Sequence, residues 1–349
     1  MGPRTDGPPP IKKLLLPAVF VGGLFYVTLT RAPDPPKQMV VQGEALGTTW
    51  ALKVVESPTE ERSGELRRLV EAALAEVDGA MSTYRPDSEL MRLNEADGVT
   101  PTALSEELSV VMAEALDIGA SSNGAFDVTV GPLVNAWGFG ADKHSNVPSD
   151  EAMLALRDRV GLDKVEITEA GLTKAHPELF IDLSAIAKGY AVDRVVDGLE
   201  QAGVQNLLME VGGEIVARGV NPNGDAWRLG IETPIEVGRT VFHAVPLNNQ
   251  AMATSGDYRQ FYEVDGKRVS HLIDPRTGAP IEHRLASVTV VAPRCSTADG
   301  WATALSVMGE REGLTRATEE GLAAYFIIRD PDGSFRTEST PQFDALSGP

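Results

Sequence analysis

The chain has 349 residues, 42% of them hydrophobic and 23% charged, enough for one large domain or two lobes with a substantial core. Its formal net charge of −19 excludes a nucleic-acid or anionic-lipid surface, since phosphate-rich surfaces are gripped by Lys and Arg; a small anionic ligand needs only a few local donors and remains allowed. The single cysteine, Cys295, excludes an intrachain disulfide framework.

The first thirty residues read as a targeting element. A basic tail, 1–13, ends in Lys12-Lys13 and precedes the uncharged run LLLPAVFVGGLFYVTLT, residues 14–30. A polar, Pro-rich exit, RAPDPP, follows. This order predicts a signal anchor or transmembrane segment over 14–30. The basic side faces the cytoplasm by the positive-inside rule, and the bulk of the chain lies outside it. A buried N-terminal helix is the plainer alternative. No cysteine follows the run, so a lipoprotein anchor is excluded. Residues 31–39 are expected to be a linker and 40–345 the folded domain.

Within that domain, 40–56 alternates as one or two strands around Gly47. Leu66, Leu69, Val70, Ala73, Leu74 and Val77 recur at helical spacing. A second helix is expected over 104–120, and a third after Ser149, a plausible N-cap. Short strands flank 165–181. A helix is expected to start at Ser184 and run to about 202. From 206 to 292 strand follows strand, broken by Gly, Asn and Pro. Helix returns over 297–320, and AAYFIIR, 323–329, is a late strand. Helices and strands segregate more than they alternate, so the fold class is α+β, with mixed or antiparallel sheets and flanking helices.

Four stretches carry candidate chemistry, each with a plainer alternative. In IDLSAIAKGYAVDRV, 181–195, Ser184 stands where it caps a helix, whose first turn offers free N–H groups and a positive dipole end, a natural anion site. Lys188 adds a cation; the alternative is a capped surface helix. In GAFDVTVGPLV, 124–134, Phe126 offers a ring for stacking and Asp127 a hydrogen-bond acceptor; the alternative is a core aromatic beside a turn-capping aspartate. In STADGWATALSVMG, 296–309, Asp299 and Thr303 sit one turn apart on one helix face, hard oxygen donors suited to Mg²⁺. The alternative there is an acidic residue complementing the helix dipole. In SHLIDPRTG, 270–278, His271 precedes a strong Asp-Pro-x-x-Gly turn; a lone histidine is usually structural. No GxSxG, HExxH, GxxxxGK[ST] or GxGxxG is present.

Taken together and in this order, the segments ALGTTW (45–50), MSTYRPDSELMRLN (81–94), GAFDVTVGPLVNAWGFG (124–140), IDLSAIAKGYAVD (181–193), VGGEI (211–215), SGDYRQ (255–260), SHLIDPRTG (270–278) and TADGWATALSVMG (297–309) resemble the ApbE family of flavin transferases. The resemblance spans nearly the whole chain from about residue 40. It implies two lobes around a flavin cleft. It implies Mg²⁺-dependent transfer of FMN from FAD to a threonine, sometimes a serine, of a target flavoprotein, with release of AMP. The acceptors it implies are flavoprotein subunits of membrane redox complexes, of the Na⁺-translocating NADH:quinone reductase or Rnf type. An FAD pyrophosphatase and a non-catalytic exported flavin-binding protein are the alternatives. By motif, Leu46, Tyr84, Ala125, Phe126, Asp127, Asp182, Lys188 and Ile273 match FAD-binding positions. Ala185, through its carbonyl, Asp299 and Thr303 match the metal ligands, and His271 matches the catalytic histidine. Leu46 replaces a Met found in many relatives.

Overall fold

The fold starts from a hairpin. Strand β1, Met39–Ala45, and strand β2, Thr48–Val54, alternate buried and exposed side chains and pair antiparallel from Met39↔Val54 to Ala45↔Thr48. Leu46 and Gly47 form the two-residue turn, with φ of 51° and 69°. Two positive φ values in succession match the hairpin twist that favours such turns. The computed structural model describes residues 37–140, 147–235, 240–257, 261–264 and 267–347. The basic tail 1–13, the apolar run 14–30 and most of the linker fall outside them.

Residues 55–206 are mainly helical. Helix α1, Glu60–Met81, opens on the Thr59 cap, with Glu60 and Glu61 in its first turn, and buries Leu66, Val70, Leu74, Val77 and Met81. That spacing is one apolar stripe. Helices α2 (Glu89–Glu95), α3 (Glu106–Ser121) and α5 (Asp150–Arg157) begin on Ser88, Ser105 and Ser149, whose side chains each accept a backbone N–H. Helix α4, Gly131–Ala136, carries Pro in its first turn. A small ribbon pairs Val165–Thr168 with Gly171–Lys174. Helix α6, Ala187–Gln201, completes the insertion.

Six further strands complete the main sheet: β3 (Leu207–Val211), β4 (Glu214–Arg218), β5 (Ala251–Gly256), β6 (Leu285–Ala292), β7 (Ala323–Arg329) and β8 (Phe335–Ser339). The eight strands lie side by side in chain order, every neighbouring pair antiparallel. Between β6 and β7 runs helix α7, Cys295–Glu319, broken at Gly309, where φ is 79° and ψ 179°. A Cβ on Gly309 would also stand 2.6 Å from the His283 ring. Helix α8, Pro341–Asp344, closes the chain.

Both sheet faces are covered, which explains why β6 is buried along its whole length. On one face Met209, Val211, Val288, Val290 and Phe326 join a core with α1, α3, α6 and α7. On the other, Leu208, Val291, Tyr325 and Ile327 pack with Trp227, Ile231, Val245 and Leu247 and with Phe343 of α8. Trp227–Glu232 and Val241–Leu247 form the ribbon supplying those residues.

The α+β class is as expected, with the sheet antiparallel throughout. The expected two lobes are not separate units: from Lys37 onward the chain is one compact unit. Strand β1 starts at Met39, inside the expected linker. The helix expected from Ser184 starts at Ala187. Among the described residues no helix is long and apolar enough to cross a membrane.

Candidate active site

The site grows from the way α6 and α7 begin. Neither helix has a side-chain cap from the residue before it, Ile186 for α6 and Arg294 for α7. Helix starts leave backbone N–H groups without partners, and buried ones must be satisfied. Each helix supplies the other. Asp193 of α6 accepts from the backbone N–H of Cys295, at 2.9 Å, and of Ser296, at 3.0 Å. Asp299 of α7 accepts from the N–H of Gly189 at 3.0 Å. Gly189 permits this approach: a Cβ there would stand 2.4 Å from the Cys295 carbonyl oxygen and 2.8 Å from Asp299 Cβ. The alternative reading of Asp299, an acid at a helix start, thus holds in a changed form, because the helix it caps is the neighbour's.

The exchange draws charges together. Lys188 meets Glu214 Oε1 at 2.5 Å. Burial alone would lower the Lys188 ammonium, but Asp299 and Glu214 outweigh it, and its pKa is pushed up to about 12. Burial pushes the Asp299 carboxyl upward against the pull of Lys188. The Cys295 thiol is held well above its ordinary value, first by burial and then by the surrounding carboxylates. Two buried carboxylates therefore face one ammonium, and Glu214 Oε2 is buried with no hydrogen-bond partner. A bound cation would relieve this excess negative charge.

The donors present fit Mg²⁺ on the same ground. Thr303 lies one turn beyond Asp299 on α7, and Ala185 sits in the turn that leads into α6. Among the described residues no group of three His, Cys, Asp or Glu could hold a metal. The candidate set of one carboxylate, one hydroxyl and one carbonyl suits an ion that keeps waters and substrate oxygens in its shell.

Asp182 bridges this centre to the segment that carries Asp127. Its backbone N–H donates to the Val128 carbonyl at 2.7 Å, and its carboxylate accepts from the N–H and hydroxyl of Ser184. Ser184 therefore does not cap α6; it is itself capped by Asp182. Asp127 accepts from the Thr129 N–H and hydroxyl, and burial raises its pKa against those bonds. Asp127 also lines a cavity of about 410 Å³ with Asn123, Gly124, Asp163, Pro275 and Arg276. The Asp274–Gly278 turn closes on its own aspartate: the N–H of Gly278 donates to the Asp274 carbonyl at 2.7 Å, and Arg276 pairs with the Asp274 carboxylate at 2.9 Å. Trp137 Nε1 donates to the Gly278 carbonyl and Tyr262 Oη to the Trp137 carbonyl. The Phe139 ring stacks on Tyr262 and stands edge-on to His271, with centroids 6.3 Å apart.

One predicted contact, the stacking ring of Phe126, needs correction. The Phe126 ring is 2% exposed and belongs to the main core, so it is no stacking surface; Ala125 is buried beside it. The Ile273 side chain packs against Leu133 and Val160 in a third small core. Tyr84 is 79% exposed, so its ring is no core element and is presented to solvent. Leu46 holds a positive φ, a strained state for a branched apolar residue, while its side chain packs against the main core. Among the described residues the other two non-Gly positive-φ positions are Asn123 and Asn249, a residue type that tolerates it. The sequence reading gave no role to Asp193 or Glu214. Their signals, an acid five residues after Lys188 and one following a Gly-Gly turn, become legible only once α6, α7 and β4 are packed.

The family follows from comparison with known proteins. The ApbE family model matches residues 46–326. A protein of Escherichia coli K12 called FAD:protein FMN transferase is 39% identical over 94% of this chain and 96% of its own. One of the same description from Haemophilus influenzae is 42% identical over 97% and 99%. The solved structure of the flavin transferase ApbE from Vibrio cholerae superposes with a TM-score of 0.82 at 41% identity, covering 89% of this chain and all of that one. The apo Pseudomonas stutzeri flavinyl transferase ApbE gives 0.81 at 40% identity, over 90% and 98%. The chain belongs to the ApbE family.

Proposed function

We propose that this protein is a flavin transferase that takes FAD and, with Mg²⁺, moves its FMN half onto a threonine or serine hydroxyl of a target flavoprotein. The observation that carries this reading is the Lys188 ammonium, 36% exposed on its side chain, anchored to the buried Glu214 beside Asp299 at two helix starts. The part-exposed ammonium is a cation for an anionic ligand, here the pyrophosphate of FAD.

The chain's own residues divide the work. Lys188 holds the pyrophosphate and stabilises charge that develops on it. Asp299, Thr303 and the Ala185 carbonyl hold Mg²⁺, which when bound neutralises pyrophosphate oxygens that otherwise repel a nucleophile. The acceptor hydroxyl forms a bond to the FMN phosphorus. The bond from that phosphorus to the AMP oxygen breaks, and AMP leaves with the electron pair. His271 accepts the hydroxyl proton. Tyr84 covers an FAD ring, while the 125–127 turn, Asp182, Leu46 and the Ile273 backbone complete the ligand contacts.

The same reading extends to place and partner. The apolar run 14–30 anchors the chain in a bacterial inner membrane with the domain in the periplasm, where flavoprotein subunits of the NADH:quinone reductase or Rnf type expose their acceptor residues. The Lys12-Lys13 flank supports this orientation. Digestion in spheroplasts by a protease that does not cross the membrane checks it; full protection would sink it.

The test of the activity is incubation with FAD, Mg²⁺ and an acceptor peptide. Flavin fluorescence on the denatured peptide is expected. AMP release without it would make the protein a pyrophosphatase, and neither would leave a flavin-binding protein.

A further inference from the structure

Glu214 is buried, 5% exposed on its side chain, yet only half of its carboxylate is used. Oε1 meets Lys188. Oε2 is buried and has no hydrogen-bond partner. Native proteins rarely leave such an atom unpaired, so each one points to a missing partner.

Glu214 follows the Gly212–Gly213 turn of the β3–β4 hairpin, with φ of 64° and 113°. A Cβ on Gly212 would stand 3.4 Å from Glu214 Oε2 and 2.9 Å from Thr48 Cγ2. A Cβ on Gly213 would meet nothing within 4 Å. Thr48 follows directly on the Leu46–Gly47 turn. The orphaned oxygen is thus packed against the Gly212 backbone near Thr48 at the first hairpin's tip, while the adjoining Gly213 borders open space.

The missing partner is a donor. A phosphate oxygen would be repelled there; a hydroxyl fits. In a flavin dinucleotide each phosphate is esterified to a chain of hydroxyl-bearing carbons, ribityl on one side and ribose on the other. A ligand with its phosphates on Lys188 carries one of these chains onward past Glu214. We propose that Glu214 Oε2 accepts a hydrogen bond from a hydroxyl of the polyol or sugar that adjoins the ligand's pyrophosphate. Glu214 is then a ligand-binding residue as well as the partner of Lys188. This inference rests on the flavin-dinucleotide reading above.

The test uses Glu214→Met in the full-length protein, with binding titrated in EDTA so that no metal contributes. Four probes lack phosphate and so bypass Lys188: riboflavin against lumiflavin, which differ by the polyol, and adenosine against adenine, which differ by the ribose. One nucleoside-type probe, riboflavin or adenosine, is expected to bind about tenfold more weakly, the size of one hydrogen bond to a charged group, while its bare ring is unaffected. The pair that responds names the chain. Unchanged affinity for both riboflavin and adenosine, or equal losses for the bare rings, in a variant that melts like the wild type overturns the inference. If the Met variant melts early, Glu214→Gln keeps the volume and carries the same comparison, with a loss of about threefold expected because a neutral amide bonds more weakly. Wild-type protein that fails to bind FAD at all would overturn the functional reading itself, an outcome visible before any variant is made.

Discussion

The Asp299 carboxylate and the Gly189 N–H, 110 residues apart in the chain, meet at 3.0 Å and tie the start of α7 to the start of α6. Asp299 therefore has two separable duties, a cap and a proposed metal ligand. Asp299→Asn keeps an oxygen for Gly189 and is expected to melt within about 1 kcal/mol of wild type. Asp299→Ala orphans a buried N–H and should cost about 1–3 kcal/mol. Both are expected to lose Mg²⁺-dependent transfer. Wild-type transfer by either would remove Asp299 from the metal site.

Asp193 tests the other half of the exchange. Asp193→Ala strips the acceptor from both Cys295 and Ser296 and the ion pair from Arg294. About 2–4 kcal/mol of stability is expected to go, with Asp193→Asn in between. Urea unfolding measures this; a loss below 1 kcal/mol for the alanine variant would mean the helix start finds other partners.

Lys174 predicts an alkaline pH dependence. Its ammonium is buried and donates to the carbonyls of Asn94, Pro177 and Leu179. Burial lowers its pKa below the ordinary 10.5, with Asp97 pulling weakly the other way. The folded state thus binds fewer protons than the unfolded one between the two values, and stability rises with pH across that window. Its contribution is complete above 10.5 and lost as pH falls through the folded value. The stability gap between wild type and Lys174→Met should widen in favour of the wild type from neutral pH toward 10.5. A flat or narrowing gap contradicts this.

Tyr84 separates binding from folding. Being largely exposed, it contributes little to stability, so Tyr84→Ala should melt within about 0.5 kcal/mol of wild type. Losing a ring contact worth about 0.5–1.5 kcal/mol should weaken FAD two- to tenfold. Unchanged FAD affinity would leave the ring without a role.

His271 carries the proton-transfer assignment. His271→Ala should slow transfer by roughly 10²- to 10⁴-fold while FAD still binds. His271 is only half-buried beside the Phe139 ring, so the variant is expected to fold. Transfer within a few-fold of wild type by a folded, FAD-binding variant would leave SHLIDPRTG as a structural turn.

Local signals in the chain were reliable where structure is made locally. The strand over 323–329, the Ser149 cap and the hairpin around Gly47 follow from alternation, capping chemistry and turn geometry. Ser184 misled because a serine two residues after an aspartate is equally good as the donor in an Asp182 turn, and tertiary packing chose that use. Phe126 reads equally as a presented ring or a core aromatic, and only the assembled core selects the second. Asp193 looked like any polar residue on a helix, because the N–H groups it serves lie about a hundred residues further on.

The chain-order sheet has one seam, where β2 must find β3 across residues 55–206. Closing a loop of that length costs about 4 kcal/mol of chain entropy, so this pairing waits for the helices to pack. Strands β3 to β8 face no comparable gap. Lys188 comes from inside the seam's loop, while Glu214 and Asp299 come from beyond it. The cluster of Lys188, Glu214 and Asp299 is therefore complete only when the chain on both sides of that gap has come together. If these residues bind the flavin as proposed, its capture by the nascent protein is expected only from a finished domain.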